Sequence, residues 1–152
     1  MKWISHRGNT AGPDPKNENK IKTINACLDK GLDVEVDIWF ENNKFFLGHD
    51  SPDELLNIDF FKINELWFHL KNLNSLKIIK DYSPLNYFWH EEDKCTITSS
   101  GKFWLYPGNN VESKDSIFVL PENFNTNLNF KNYNIFGVCT DYIDSYKKKY
   151  KN

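Results

Sequence analysis

The stretch Asp33-Val34-Glu35-Val36-Asp37-Ile38-Trp39-Phe40 sets apolar residues at 34, 36 and 38 against carboxylates at 35 and 37. A period of two is the pattern of a β-strand, whose successive side chains point to opposite faces. With the apolar face packed outward on helices, Glu35 and Asp37 both turn inward, where unpaired charge is expensive. Two hard oxygen ligands side by side suit Mg²⁺ or Ca²⁺ that is also bound by a substrate phosphate. A solvated strand face is the plainer alternative.

Towards the N-terminus lie a strand over Trp3 to Arg7 and a Gly/Asn/Pro loop from Gly8 to Asn17. Asn19 to Lys30 follows with Ile21, Ile24, Ala26, Cys27 and Leu28 at helical spacing, and Gly31 stops that helix. On the other side, Asn42-Asn43 turns the chain into an extended arm, Lys44 to Leu47. Leu66 to Leu70 reads as a strand, and a helix from Leu73 to about Tyr82 is closed by Pro84. Short β-rich runs then follow closely: Asn86 to Trp89, Cys95 to Thr98, Phe103 to Tyr106, Ile117 to Leu120 and Ile135 to Cys139. With the Lys44–Leu47 arm set aside, these make eight main strands. The pattern predicts an α/β fold, a reduced (β/α)₈ barrel lacking most outer helices in its C-terminal half. The 152 residues form one domain, 1–152, although such barrels usually take roughly 200 residues or more. An open α/β sheet is the alternative.

Composition narrows the function classes. Nineteen basic against 21 acidic residues leave a net charge of -2, with no bulk attraction to nucleic acid or anionic lipid. No apolar run approaches the ~20 residues of a membrane span, and the N-terminus enters a motif directly, with no room for a signal peptide. Cys27, Cys95 and Cys139 are widely spaced, odd in number and without a CxxC, which predicts reduced thiols in a cytoplasm, each buried as a small hydrophobe. Lys147 to Lys149 with Lys151 reads as a solvated last helical turn.

Polar residues recur at the ends of the predicted strands. His6-Arg7 ends the first, Glu35 and Asp37 the second, His69 and Lys71 the third and His90 the fourth; Ser99, Tyr106, Glu122 and Asp141 follow later ones. In a barrel these ends face one mouth. His6-Arg7-Gly8 offers an imidazole, a guanidinium fork for phosphate oxygens, and a glycine for a tight loop. His49, after Gly48, has Asp50 beside it to orient the ring. Phosphodiester cleavage removes a proton from the attacking oxygen and delivers one to the leaving oxygen, tasks suited to two histidines.

His6-Arg7-Gly8, a helix, Asp33-Val34-Glu35-Val36-Asp37, a hairpin and Gly48-His49-Asp50, in that order, resemble the N-terminal signature of glycerophosphodiester phosphodiesterases. Thr140-Asp141-Tyr142 resembles that family's closing motif. The match is strong over about residues 2–52, and the wider group includes phosphatidylinositol phospholipase C-like enzymes on TIM barrels. The resemblance implies His6 and His49 as the acid/base pair, Glu35 and Asp37 as metal ligands, and Arg7 as a phosphate clamp. It also implies attack on phosphorus by a hydroxyl of the substrate's own alcohol, giving a cyclic intermediate. The family usually carries a metal-binding Glu two residues before a Lys on the third strand; here the pair is His69-Leu70-Lys71. Imidazole ligates divalent ions too and moves preference towards Mn²⁺ or Zn²⁺. His69 is a metal ligand, a substrate contact or a core histidine. Of the family's Pro-Glu-Asn-Thr in the first loop only Glu18-Asn19 remains, either to orient the loop or to cap the following helix.

Lys71, His90, Trp104, Tyr106 and Glu122 join Arg7 as candidate substrate-binding residues. Trp104 and Tyr106 share a strand face, where they either stack on a sugar or polyol or fill the interior. The expected function is metal-dependent hydrolysis of a small soluble glycerophosphodiester or polyol phosphodiester. A lyase that releases a cyclic phosphate, or a binding barrel that has lost turnover, are the competing readings.

Overall fold

A computed structural model describes residues 1–82, 84–124 and 128–150. The order of elements is β1 (Lys2–His6), α1 (Ile21–Leu28), β2 (Asp33–Glu41), β3 (Lys44–Leu47), β4 (Glu54–Leu56), β5 (Leu66–Leu70) and α2 (Leu73–Ile79). It continues through β6 (Asn86–Phe88), β7 (Cys95–Ile97), β8 (Phe103–Leu105), β9 (Ser116–Val119), β10 (Gly137–Thr140) and α3 (Ile143–Lys149). All ten strands join one mixed sheet, curled into a half-barrel. Seven lie parallel in the order β6-β5-β2-β1-β10-β9-β8, and β7 closes the row antiparallel to β8. β3 and β4 branch from the far half of β2 as an antiparallel meander.

This corrects the expected reduced (β/α)₈ barrel. Among the described residues there are three α-helices of eight, seven and seven residues, and they do not alternate with the strands. The cause is in the connections. Residues 89–94 and 98–102, flanking β7, are too short for the dozen or so residues of a parallel crossover. The link from β8 to β9 starts with Pro107-Gly108, and the link from β9 to β10 contains Pro121 and several asparagines, all poor helix formers. In their place stand short 3₁₀ turns, Pro121–Asn123 and Phe130–Asn132.

The alternation read from Val34 to Ile38 is present. Val34, Val36 and Ile38 pack outward with Phe68 and Leu70 of β5 against Ile24 and Cys27 of α1 and Ile79 of α2. The inner face carries Ile4, Trp67, Phe88, Trp104, Ile117 and Cys139. A third cluster, including Phe118, Phe130, Val138 and Tyr146, fills the side covered by α3. Among the described residues, Ser99 carries the hydrogen bonds between the two ends of the curl. Ser99 donates its N–H to the Tyr87 carbonyl (2.9 Å), accepts from the Tyr87 N–H (2.8 Å) and donates its hydroxyl to the Leu85 carbonyl (2.9 Å). No strand ladder crosses that seam among the described residues. Inside it, Trp104 stacks on Phe88 at 4.4 Å.

Smaller expectations also shift. β4 was not anticipated, and α2 ends at Ile79, ahead of Pro84. Cys27 and Cys139 are buried, but Cys95 is exposed on β7, whose outer edge has no strand partner among the described residues. Lys147 to Lys149 do form the last turn of α3, and Lys151 lies outside the described residues. No helix among the described residues is long and apolar enough to cross a membrane.

Candidate active site

Strand register assembles the centre. His6 of β1 lies beside Glu35 of β2, and Asp37 lies beside His69 of β5. All four belong to the parity that faces inward, opposite the helix-packed valines. Glu35 and Asp37 are 2% and 0% exposed, so each carboxylate needs compensation.

Arg7 supplies part of it. Its backbone is left-handed (φ 55), and Gly8 follows at φ 90. A left-handed non-glycine residue costs roughly 1 kcal/mol or more, and here the turn swings the side chain back over the sheet end. Its Nε lies 3.0 Å from Asp37 Oδ2 and its Nη1 donates to Glu18 at 3.4 Å. Asn19 completes the clamp, donating to Asp37 Oδ2 and accepting from the Asp37 N–H, both at 2.9 Å. The N-cap of α1 is Lys20, which makes no side-chain cap bond. Glu18 and Asn19 therefore hold the loop to the site.

His6 is oriented from the neighbouring strand. Asp141, just past β10, accepts from His6 Nδ1 at 2.9 Å and from Asn9 Nδ2 at 2.8 Å. A carboxylate can only accept, so Nδ1 carries the hydrogen and Nε2 is left towards Glu35 Oε2, 4.0 Å away. Burial alone would lower the His6 pKa, but the Asp141 bond and the Glu35 charge outweigh it and hold it above the ordinary value. Asp141 is held below its own, because His6 and Asn9 outweigh its burial.

The two inner carboxylates are pushed apart. Burial, then the charge of Asp37, raises Glu35. Asp37 feels the same burial, yet the close His69 ring, Arg7 and Lys71 hold it well below the usual carboxylate range. His69 Nδ1 lies 2.9 Å from Asp37 Oδ1 and 3.8 Å from Glu35 Oε1, and Lys71 Nζ stands 3.6 Å from Asp37 Oδ1. The other His69 nitrogen donates to the His90 carbonyl at 2.8 Å, and the ring stacks on Phe88.

His49 reaches the rim from the loop after β3. That loop is tied to β2 by the Gly48 N–H on the Asp37 carbonyl (3.2 Å) and by Trp39 Nε1 on the Gly48 carbonyl (2.7 Å). Gly48 sits at φ 147, and a Cβ there would collide with the Ser51 carbonyl oxygen. His49 is 40% exposed, with Nδ1 donating to Asp50 at 2.6 Å. Burial, aided by the Arg7 charge, lowers its pKa.

A cleft of about 540 Å³ brings His6, Arg7, Glu35, His49, His69 and Lys71 together with His90, Trp104 and Tyr106 on its far wall. Trp104 is buried, and most of it fills the interior. Tyr106 lies one residue past β8, exposed on the rim, with the His90 ring edge-on at 5.6 Å. Glu122 is not brought to this cleft. Its Oε1 accepts from Thr140 Oγ1 (2.8 Å) and the Asp141 N–H (3.0 Å), so it braces the end of β10 behind Asp141. Sequence reading missed the work of Asp141 and Asn9. Asp141 had a signal, its place at a strand end, whereas Asn9 sits in a loop with no periodic pattern.

Glu35, Asp37 and His69 each offer a ligand atom, all within 4.8 Å of one another. Asp37 Oδ1 is buried and has no aligned hydrogen bond among the described residues. Two oxygens, one of them unpartnered, and one nitrogen fit a divalent ion. Comparison of the chain with protein-family models, curated proteins and solved structures returned no match.

Proposed function

We propose that this cleft cleaves small phosphodiesters, with His6 and His49 exchanging protons with the substrate. The observation that carries the reading is the pair of carboxylate-oriented imidazoles, His6 on Asp141 and His49 on Asp50, in one cleft with Arg7 and Lys71. Arg7 and Lys71 receive the phosphate oxygens, the guanidinium through the donors its carboxylate partners leave over.

One imidazole takes the proton of the attacking hydroxyl, which in the manner of the resembled family belongs to the substrate's own alcohol. The new P–O bond closes a cyclic phosphate, the bond to the leaving alcohol breaks, and the other imidazole gives that oxygen a proton. Water then adds with the two roles reversed, and the ring opens to a monoester. Asp141 keeps the His6 hydrogen on Nδ1, so that Nε2 is the proton-exchanging atom. A divalent ion held by Glu35, Asp37 and His69 would neutralise charge on the phosphoryl group.

The pKa directions suit this start. His6 is raised and His49 lowered, so between the two values the pair holds one proton. An acid and a base are then both available.

The test assays purified protein on an aryl phosphodiester and on glycerophosphodiesters, with added Mg²⁺, Ca²⁺ or Mn²⁺ or with chelator. His6→Ala and Glu35→Ala are expected to lose turnover, and equal rates for wild type and both variants overturn the centre. Phosphorus NMR of the product separates hydrolysis, which ends in a monoester, from a cyclising lyase.

A further inference from the structure

Three possible ligand atoms, from Glu35, Asp37 and His69, converge at the end of β5, and the partners of the His69 ring bear on what they await. Its Nε2 is 2.8 Å from the carbonyl oxygen of His90. A carbonyl can only accept, so Nε2 carries a hydrogen and Nδ1 is the ring nitrogen turned to the carboxylates. Nδ1 faces Asp37 Oδ1 at 2.9 Å and Glu35 Oε1 at 3.8 Å, both acceptors.

Two of the roles left open for His69 fall away on this geometry. A substrate contact needs a free ring nitrogen, and both nitrogens point to protein atoms. A filled-core histidine would leave its neighbours satisfied, yet Asp37 Oδ1 is buried without an aligned hydrogen bond among the described residues. Donation of the remote ring N–H to a backbone carbonyl is the usual support for a metal-ligating histidine.

We propose that His69 binds a divalent ion through Nδ1 and that this nitrogen makes the centre select ions of the Zn²⁺ and Co²⁺ class over Mg²⁺ and Ca²⁺. The proposal rests on the reading of Glu35, Asp37 and His69 as metal ligands and adds the ligating atom of His69 and its consequence for ion choice. Mg²⁺ and Ca²⁺ take oxygen ligands almost alone, whereas imidazole suits the later first-row ions. Asn19 donates to Asp37 Oδ2 and the Arg7 Nε lies 3.0 Å from that same oxygen, leaving Oδ1 for the ion. Lys71, at 3.6 Å from Oδ1, stands outside hydrogen-bond range.

The experiment measures ion binding by titration calorimetry and by the visible absorption of bound Co²⁺, on chelator-stripped wild type and on His69→Glu, His69→Gln and Glu35→Gln. Circular dichroism establishes that each variant is folded. Wild type is expected to bind Zn²⁺ and Co²⁺ more tightly than Mg²⁺ or Ca²⁺. His69→Gln should weaken Co²⁺ by at least the roughly 10–100-fold that losing an outer-shell partner costs, and His69→Glu should move preference back towards Mg²⁺ and Ca²⁺. In nitrogen-15 spectra of the wild type, Zn²⁺ should shift the His69 Nδ1 resonance while Nε2 keeps its proton. Equal affinity for Ca²⁺ and Zn²⁺ in wild type overturns the proposal. So does Zn²⁺ binding that survives both His69 substitutions but is lost in Glu35→Gln, an outcome that leaves the two-carboxylate centre standing. Absence of binding to wild type, or binding indifferent to every substitution, overturns the metal centre itself.

Discussion

The half of the sheet around β1, β2 and β5 and the half around β7, β8 and β9 are built differently. In the first, helices α1 and α2 seal the outer face over Val34, Val36, Ile38, Phe68 and Leu70, and the inner face can carry buried ions. In the second, strands of three or four residues follow one another through turns, and stacked rings such as Phe88 and Trp104 do the filling. The contrast teaches where a small protein can hold charge. Glu35 and Asp37 stay in place because a rigid, helix-backed strand fixes their parity and Arg7, Asn19 and His69 surround them. The spare half contributes the far wall of the cleft and needs no buried carboxylate to do so.

That division can be broken most sharply by kinetics. His6→Ala, in the helix-backed half, should lower turnover roughly 10²–10⁴-fold, the worth of one acid/base group. Tyr106→Ala, on the opposite rim, should change KM by less than about tenfold, since one aromatic contact is worth about 1 kcal/mol. Comparable losses in kcat from both would erase the distinction between a chemical half and a shaping half. The next effect is on stability: Trp104→Ala should cost about 3–5 kcal/mol in urea unfolding, because it empties the ring stack that stands in for helices. A cost below about 0.5 kcal/mol, the range of a surface change, would show that this half is held by something else.

The smallest effect sharpens the comparison across the β1–β10 pair. His49 is lowered and His6 raised, so the pH–rate profile should be a bell. Its acid limb falls as the lower site gains a proton, and its alkaline limb falls as the higher site loses one. The Asp141 bond is the largest influence that raises His6, so Asp141→Asn should move the alkaline limb to lower pH and leave the acid limb in place. An unmoved alkaline limb would remove Asp141 from the proton chemistry.

The helix-backed half was the legible one. A period of two over Val34 to Ile38 states both which face is buried and which residues share the other, and the helix stop at Gly31 precedes it. The neighbours of β2 followed, because His6 and His69 end strands that must lie parallel beside it. The antiparallel direction of β7 was not legible, since three or four apolar residues carry no mark of orientation. The same limit hid the exposure of Cys95. Glu122 misled because a strand-end position says nothing about which way the side chain turns, and here a 3₁₀ turn aims it at Thr140. Asn19 read equally as a loop anchor or a helix cap, because the local pattern of the two is the same; only the long-range partner, Asp37, distinguishes them.

A closed barrel has its diameter set by strand number and register. A sheet whose ends are joined, among the described residues, by the hydrogen bonds of Ser99 and a ring stack instead of a strand ladder has its circumference set by side chains. Parting the seam forfeits three hydrogen bonds, each worth about 0.5–1.5 kcal/mol net, together with whatever ring contact slides open. The aperture between the Lys71 and Tyr106 sides of the cleft is thus set by a short seam and the Phe88–Trp104 stack beside it, not by a closed ladder of strands.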